Sequence, residues 1–440
     1  MNKSDPNRPP INTEGPDFSQ AVAMLQQSLG ASLTTSGGKK NHYTLQPHTL
    51  ESLQNCVSFC HNNHLPLQVG DLPLSSLYFS EKPRLILDVS SFNAVHHFPV
   101  DDLLITVDTG MTALELQKEC EAQNLQYPLW FPDNWTQMDI LLSDQPSLET
   151  GFLGYPRDTV TATEWLSPDG GISHYGGEVV KNVSGYDLNK CILGSHYQLG
   201  LITRATLKLA VPPEAEHHYW LEISSLEEGY GYYQSLSHAD KSEGTTPFSL
   251  KRCELLFRNS HSSPGTNGLF FTLSDSLDSL EVQAKRLPGD VLKLSKASAR
   301  KWMNTLMKQS SPIRRGENPL SKTHELTMTL EVCLPPLKVF KWLHSIVNRP
   351  EIKPFGLQWR MAAGLIYFHL SCLEDLSSFP FWFEQKEALY KHWGGTLRMI
   401  QAPDSQGQLM SELNQAPHPL TRQLMQQWVK TIDPHQIFTG

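Results

Sequence analysis

The sequence has no group of cysteines or histidines with the spacing of a zinc or iron–sulfur site. Its seven cysteines are scattered, and only Cys56 and Cys60 lie one helical turn apart. No run of about 18 apolar residues occurs, so no membrane span is predicted, and the polar N-terminus lacks the apolar core of a secretory signal. Scattered thiols are typical of a reducing compartment, and we therefore expect a cytoplasmic protein.

An excess of positive charge is missing as well. The 440 residues carry 36 Lys and Arg against 45 Asp and Glu, a net charge of −9, which gives no basic face for nucleic acid. The nucleotide-binding patterns GxGxxG and GxxxxGK[ST] are absent, as are a GxSxG elbow and an HExxH helix. What is present is a 39% apolar fraction with 10 Trp and 18 Phe, enough for more than one domain core.

Local patterns predict a mixture of helices and strands. Thr49 is placed to cap a helix, and Thr112 with Glu115 forms a capping box for a helix that ends near Gln123. The stretches PLQV, RLILDVS, LLITVDT and LITRATLKL are strand candidates, and TVTATEWLS followed by the turn PDGG predicts a β-hairpin. Residues 124–150 are predicted to be irregular. The predicted fold class is α+β.

Composition also suggests domain boundaries. Residues 1–35 form a polar, proline-rich extension that ends in a short helix, and the stretch VPPEAE indicates a boundary between a first domain (36–212) and a second (213–415). Residues 416–440 contain a C-terminal helix. Its apolar residues Leu420, Leu424, Trp428, Val429 and Ile432 share one face, which is predicted to pack on a core.

The span from Gly151 to Leu209 resembles the FAD-binding domain of the PCMH type, shared by the vanillyl-alcohol oxidase flavoprotein superfamily. Within that superfamily it is most similar to the FAD-binding subunits of bacterial glycolate oxidases. The most specific part is VVKNVSGYDLNKCILGS followed by LGLIT. More weakly, PLQVG, LLITVDTGMTALEL and IDPHQIF match the strand before the family's phosphate loop, the strand and helix after it, and the C-terminal ending.

The resemblance implies a two-subdomain FAD-binding domain followed by an α+β cap domain, with a ligand bound between the two. It further implies non-covalent FAD, a small 2-hydroxy acid substrate such as glycolate, and electron transfer to catalytic flavoprotein and iron–sulfur partner subunits. No metal ligand set or covalent flavin anchor is implied. Glycines would expose backbone N–H groups to the FAD pyrophosphate. The residues implied to line the cofactor are Gly70, Ser75, Ser76, Gly154, Tyr155, Arg157, Asp158, Asn182, Gly185, Tyr186, Asp187, Gly194, Ser195, Gly200 and Ile202.

Three glycine elements depart from the family pattern. The phosphate loop is GDLPLSS, in which Asp71 adds a negative charge and Pro73 removes a backbone donor. The second element, PSLETG, lacks a glycine pair. In the third, Tyr197 and Gln198 replace a glycine and a threonine. These changes keep open a second interpretation, in which the chain is a flavin-free structural or regulatory partner subunit derived from the same fold.

A catalytic base is not identified by spacing. The candidates are His174, Tyr175, His196 and His218. His369, on an alternating strand, is expected to be a core histidine. The segment QWRMAAGLIYFHL, which contains Trp359 and Arg360, resembles the second domain of the accessory FAD subunit. Arg360 there either clamps a substrate carboxylate or forms an interface salt bridge.

Overall fold

The computed structural model describes residues 22–25, 32–35, 42–69, 84–177, 187–238, 246–257, 267–311, 328–352, 356–370, 379–401, 414, 419–435 and 437–438. These residues form three β-sheets with helices packed against them, which confirms the predicted α+β class. Within the same ranges, no helix combines the length and the apolar character needed to cross a bilayer.

The first sheet has four short strands in the order β1-β2-β4-β3. They are β1 (Ser32–Thr35), β2 (His42–Gln46), β3 (Leu67–Val69) and β4 (Arg84–Leu87). Strands β2, β4 and β3 run parallel, and β1 is an antiparallel edge. Helix α1 (Leu50–Asn62) joins β2 to β3 and begins as predicted, because the Thr49 hydroxyl accepts from the Ser52 N–H and the Ser52 hydroxyl accepts from the Thr49 N–H.

The second sheet is antiparallel, in the order β5-β6-β9-β7-β8. Its strands are β5 (Val95–His97), β6 (Leu104–Asp108), β7 (Val160–Leu166), β8 (Ile172–Gly176) and β9 (Leu201–Lys208). The predicted hairpin is confirmed as β7–β8, and its turn is closed by the Ser167 N–H donating to the Gly171 carbonyl. The helices of this region are α2 (Ala113–Glu121), α3 (Gln137–Ser143), α4 (Thr150–Leu153), α5 (Pro156–Thr159) and α6 (Asn189–Ile192). Helix α2 begins at the predicted capping box of Thr112 and Glu115.

The prediction of an irregular segment over residues 124–150 is wrong at its centre, where α3 forms. All seven residues of α3 are buried, so the helix shows no alternation of polar and apolar faces from which it could be recognised. A capping box holds its first turn: the Thr136 N–H donates to Asp139 Oδ2, and Thr136 Oγ1 accepts from the Asp139 N–H. The helix packs beneath β9.

The third sheet has eight antiparallel strands in the order β13-β10-β12-β11-β15-β16-β14-β17. They are β10 (Ala215–Glu222), β11 (Leu250–Phe257), β12 (Gly268–Asp275), β13 (Leu292–Leu294), β14 (Met328–Cys333), β15 (Gly356–Arg360), β16 (Leu365–Leu370) and β17 (Thr396–Gln401). Helices α7 (Leu226–Ser237), α8 (Leu277–Ala284), α9 (Lys296–Gln309), α10 (Pro336–Ile346) and α11 (Phe379–Ala388) accompany it. Its core contains the fully buried Trp342, Trp359 and Trp382.

The C-terminal helix α12 (Pro419–Ile432) forms where predicted, but its apolar face is not fully packed. Leu424 and Trp428 are 50% and 49% exposed, so the prediction that this face packs on a core is wrong for these two side chains. The spacing of apolar residues along the sequence predicts which of them share a helix face, but it does not predict what packs against that face. Beyond the helix, the chain returns to the first sheet, where the Leu67 N–H donates to the Ile437 carbonyl (2.6 Å) beside β3.

Two buried arginines of the third sheet join it to the preceding part of the chain. Arg252 pairs with Glu149 next to α4. Arg360 pairs with Glu254 (2.8 Å) and also donates to the Pro146 carbonyl (3.0 Å). Of the two alternatives for Arg360, these contacts favour the interface salt bridge, because the guanidinium is committed to protein partners on both sides.

Candidate functional site

A cavity of about 210 Å³ lies between the segment that carries α3, α5 and α6 and the third sheet. The residues that line it include Asp144, Tyr155, Arg157, Gly194 and His196 on one side, and Glu331, Cys333 and Arg398 on the other. The cavity therefore lies in the cleft where a ligand between two domains is expected. Three of the residues implied by the resemblance, Tyr155, Arg157 and Gly194, reach it.

One wall of the cavity carries an ion pair between Arg157 and Asp144. Arg157 Nη2 lies 2.6 Å from Asp144 Oδ2, and the Arg157 backbone N–H donates to Asp144 Oδ1 (3.1 Å). Burial raises the pKa of Asp144 to about 6, although Arg157 draws it in the other direction. The turn that ends α3 brings this carboxylate to α5, because Asp144 adopts a left-handed conformation as the C-cap of that helix.

The opposite wall carries a second ion pair, in which Arg398 Nε lies 2.6 Å from Glu331 Oε1. These residues face each other because β17 pairs with β14 in a register that sets Arg398 against Glu331. Neither residue is among the site residues predicted from the sequence. No local motif marks them, since β-strand partners 67 positions apart in the chain carry no fixed spacing.

The two residues that follow Gly194 each carry a buried polar atom. Within the described part of the chain, neither Ser195 Oγ nor His196 Nδ1 has a hydrogen-bond partner. Burial, aided by the charge of Arg398, lowers the pKa of His196 to about 4, so the ring is neutral at physiological pH. A neutral imidazole has one donor and one acceptor nitrogen, and His196 is among the residues that line the cavity.

The predicted residues Gly154, Tyr155 and Asp158 form a closed turn at the start of α5. Asp158 Oδ2 accepts from the Tyr155 N–H (2.8 Å), and Gly154 has a φ of +86° that an L side chain rarely adopts. A Cβ at Gly154 would lie 2.8 Å from the same carboxylate oxygen. The turn thus explains Gly154 and Asp158 without a ligand, and Tyr155 and Arg157 are the members that face the cavity.

Gly200 directly precedes β9 and Ile202 is the second residue of that strand, and both contact protein rather than the cavity. Gly200 has a φ of +124°, and a Cβ there would overlap with the Leu166 carbonyl of the neighbouring strand. The Ile202 side chain is fully buried, and its carbonyl accepts from the Thr109 hydroxyl. Packing between strands therefore accounts for both residues.

Asp187 is not among the residues that line the cavity. Asp187 is half-exposed and pairs with Lys190 (3.7 Å) on the surface. The residues outside the described part of the chain are Gly70, Ser75, Ser76, Asn182, Gly185 and Tyr186.

Three of the four candidate bases lie away from the cavity lining. His174 and Tyr175 both lie on β8, and His174 is exposed beside Glu164 (3.7 Å). On β10, His218 Nδ1 lies 3.0 Å from Thr272 Oγ1, and burial lowers its pKa to about 4. His369, expected to be a core histidine, is half-buried on β16 with its Nδ1 3.2 Å from the Thr329 hydroxyl. Within the described ranges, no group of His, Cys, Asp and Glu side chains is arranged to hold a metal ion.

In the third glycine element, a buried side chain occupies the position of the missing glycine. Tyr197, in the position of a family glycine, is buried, and its hydroxyl donates to Asp139 Oδ1 (2.8 Å) in the first turn of α3. The backbone N–H groups of that turn are all committed. Thr136 and Asp139 bond within the capping box, while those of Gln137 and Met138 donate to carbonyls of the preceding segment (2.9 and 2.7 Å).

A pyrophosphate needs free N–H donors and no adjacent negative charge. Here the backbone N–H groups in the first turn of α3 already have acceptors. A buried carboxylate, that of Asp139, lies among them. In the second element, Gly151 is explained by packing, because a Cβ there would overlap with Ala362 and Ala363 of the third-sheet region. Tyr197 of the third element and the first turn of α3 beside it therefore do not fit the pyrophosphate of FAD.

Comparison with known proteins finds relatives that match part of the chain. Glycolate oxidase subunit GlcD of Bacillus subtilis is 25% identical over 179 residues, 39% of this chain and 37% of that protein. Glycolate oxidase subunit GlcE of Escherichia coli is 28% identical over 144 residues, 32% of this chain and 41% of that protein. D-lactate dehydrogenase [cytochrome] 1, mitochondrial, of Saccharomyces cerevisiae is 28% identical over 178 residues, 39% and 30% of the two chains. The matches thus span less than half of each relative. No family model matches.

Solved structures agree on the fold. Two structures of an alkyldihydroxyacetonephosphate synthase superpose with TM-scores of 0.60 and 0.61, at 12% and 14% identity, over 90% of this chain and 76% of theirs. Together the matches confirm the resemblance to the FAD-binding PCMH-type superfamily. The relatives named above that match in sequence are oxidases and dehydrogenases of 2-hydroxy acids.

Proposed function

We propose that this chain, which resembles the FAD-binding PCMH-type superfamily, is a subunit of an enzyme that oxidises a small 2-hydroxy acid such as glycolate, and that it holds no flavin of its own. A partner flavoprotein would carry out the oxidation and pass electrons to an iron–sulfur partner, while this chain has a structural or regulatory role. Residues 36–212 would be a former FAD domain, 213–415 its cap and 416–440 a segment that returns to the first domain. The scattered cysteines favour the cytoplasm as its compartment.

The observation that carries the proposal is the bond between Tyr197 and Asp139. Where the family motif has a glycine, this chain has an aromatic ring bonded to a carboxylate. Two unit negative charges 4 Å apart repel by about 4 kcal/mol at an effective dielectric constant of 20. A pyrophosphate beside Asp139 would meet repulsion of that order and would find no free N–H group at α3 to offset it.

A second candidate function is the FAD-binding oxidoreductase subunit itself, oxidising the 2-hydroxy acid with non-covalent FAD. Its support is the string KNVSGYDL and one buried side chain. Gln137 is fully buried, and neither end of its amide has a partner within the described part of the chain. A primary amide offers both a donor and an acceptor, which suits the edge of a flavin ring.

The visible absorption spectrum of the purified protein separates the two candidates. We expect a colourless protein that stays colourless after incubation with excess FAD and removal of the unbound cofactor. Acid precipitation, followed by measurement of flavin in the supernatant, detects any bound FAD. Authentic FAD carried through the same precipitation is the control for recovery. Releasable flavin near one equivalent per chain would contradict the flavin-free proposal and favour the second candidate.

A further inference from the structure

The cavity is framed by two ion pairs that have the same construction. In each pair the carboxylate is buried and the guanidinium reaches the opening: the side chains of Asp144 and Glu331 are 7% and 6% exposed, those of Arg157 and Arg398 are 43% and 41% exposed. One pair belongs to the α3–α5 segment and the other to the third sheet. A ligand in the cavity therefore meets positive and negative groups on both walls.

The charges of these groups cancel. Two guanidiniums balance two carboxylates, and His196 adds no charge because its pKa lies near 4. A ligand with a net charge would leave that charge uncompensated in a partly buried site, where desolvation costs several kcal/mol per ion. A ligand that carries one positive and one negative group adds no net charge, and each of its groups finds an opposite partner.

We propose that this cavity binds a small zwitterion of the α-amino acid class. Its carboxylate would accept N–H bonds from one guanidinium, and its ammonium would donate to a carboxylate of the facing pair. The inference rests on the proposed function, because it requires that no flavin ring occupies the cleft.

The dimensions and the remaining lining agree with such a ligand. A volume of about 210 Å³ is several times the roughly 30 Å³ that one water molecule takes up in the liquid. Gly194 keeps the wall beside Asp144 open, since a Cβ there would lie 3.1 Å from the Asp144 Cβ. His196 lies in the same wall.

Matched pairs of ligands test the charge argument. Glycine and glycolate, and likewise alanine and lactate, differ only in an ammonium against a hydroxyl group. The proteinogenic amino acids, both enantiomers of alanine and the two hydroxy acids are screened by thermal shift, and calorimetry then measures the affinity of each ligand that raises the melting temperature. We expect at least one amino acid to bind and every 2-hydroxy acid to bind at least about tenfold more weakly than its amino acid counterpart, since the ammonium makes a charged hydrogen bond that a hydroxyl group does not.

Variants locate the binding. Arg398→Gln should weaken amino acid binding by about tenfold or more, and Arg157→Gln provides the same test from the other wall if the first variant does not fold. Arg300→Gln is the matched control. Arg300 is also 41% exposed and paired with an aspartate, but it does not line the cavity, and its loss should leave binding unchanged.

The outcomes are distinguishable from those of the proposed function. A colourless protein that binds no amino acid, or that binds lactate or glycolate better than the matched amino acid, overturns this inference alone. An amino acid whose affinity is equal in Arg398→Gln, Arg157→Gln and the wild type also overturns it, because it binds elsewhere. A protein purified with stoichiometric flavin contradicts the proposed function, and this inference with it.

Discussion

Replacing Arg360 by methionine removes a guanidinium that is 1% exposed and leaves Glu254, which is fully buried, without its charge partner. Arg360 also donates to the Pro146 carbonyl (3.0 Å) and to Ser310 Oγ (3.1 Å). The substitution therefore removes three bonds at once, counting the one to Glu254. Breaking a buried ion pair in this way costs about 3–5 kcal/mol. We expect Arg360→Met to lower the free energy of unfolding by that amount.

The loss should depend on pH. Burial raises the pKa of Glu254, and Arg360 opposes that rise. Without Arg360 the pKa rises further, so the folded state holds a proton that the unfolded state releases. The deficit of the variant should therefore shrink as the pH falls and grow as it rises, by at most about 1.4 kcal/mol per pH unit.

Equilibrium unfolding in urea, followed by tryptophan fluorescence at several pH values, measures the effect. The double variant Arg360→Met, Glu254→Gln should recover most of the loss, since an amide keeps the bond from Gln358 Nε2 (2.7 Å) without a buried charge. Lys391→Met breaks an exposed pair with Glu387 and should cost less than about 1 kcal/mol. A loss of under about 1 kcal/mol in Arg360→Met, with weakened ligand binding, would refute the interface role and favour a carboxylate clamp.

Three further predictions follow from single contacts. Gly151→Ala should destabilise the protein by about 1–3 kcal/mol in the same unfolding assay, because the added methyl overlaps with the third-sheet region, whereas Gly231→Ala, which has open space in α7, should be neutral or stabilising by up to about 1 kcal/mol. Tyr197→Phe should cost about 1–3 kcal/mol, since it leaves a buried carboxylate oxygen of α3 without that donor. Burial and two neighbouring histidines lower the pKa of His435, so its neutral form is favoured in the folded state; the protection of the Leu67 amide against hydrogen exchange should fall as the pH drops below about 6.5, and it should fall less in His435→Gln.

The parts of the fold that the sequence predicted are those with a local cause. The hydroxyl of Thr112 and the carboxylate of Glu115 act within one turn, and that capping box alone locates the start of α2. The hairpin β7–β8 follows from alternating side chains on either side of a glycine turn. Helix α3 was missed although it has a capping box of its own, because its second member is Asp139 rather than Glu or Gln and because every residue of the helix is buried.

The site was predicted only in part, and the missing part is long-range. Arg157 was selected because the family resemblance covers it, but its partner Asp144 belongs to a stretch that looked like a loop. Glu331 and Arg398 come together through the register of β14 and β17. Strand pairing between distant segments depends on the whole sheet, so no pattern within a short window contains it.

Glycines that this chain shares with a family motif do not by themselves show that the family's ligand is still bound. At Gly200 a side chain would overlap with the backbone of β7, and at Gly151 it would overlap with the region after β15; selection for the fold alone is enough to keep both. A position that loses its glycine tells more, because the replacement must be accommodated. Tyr197 is accommodated by a buried bond to Asp139, so the two side chains depend on each other. Restoring the glycine alone would leave a cavity next to a carboxylate, and it would restore neither the free N–H groups nor the neutral surroundings that a pyrophosphate requires.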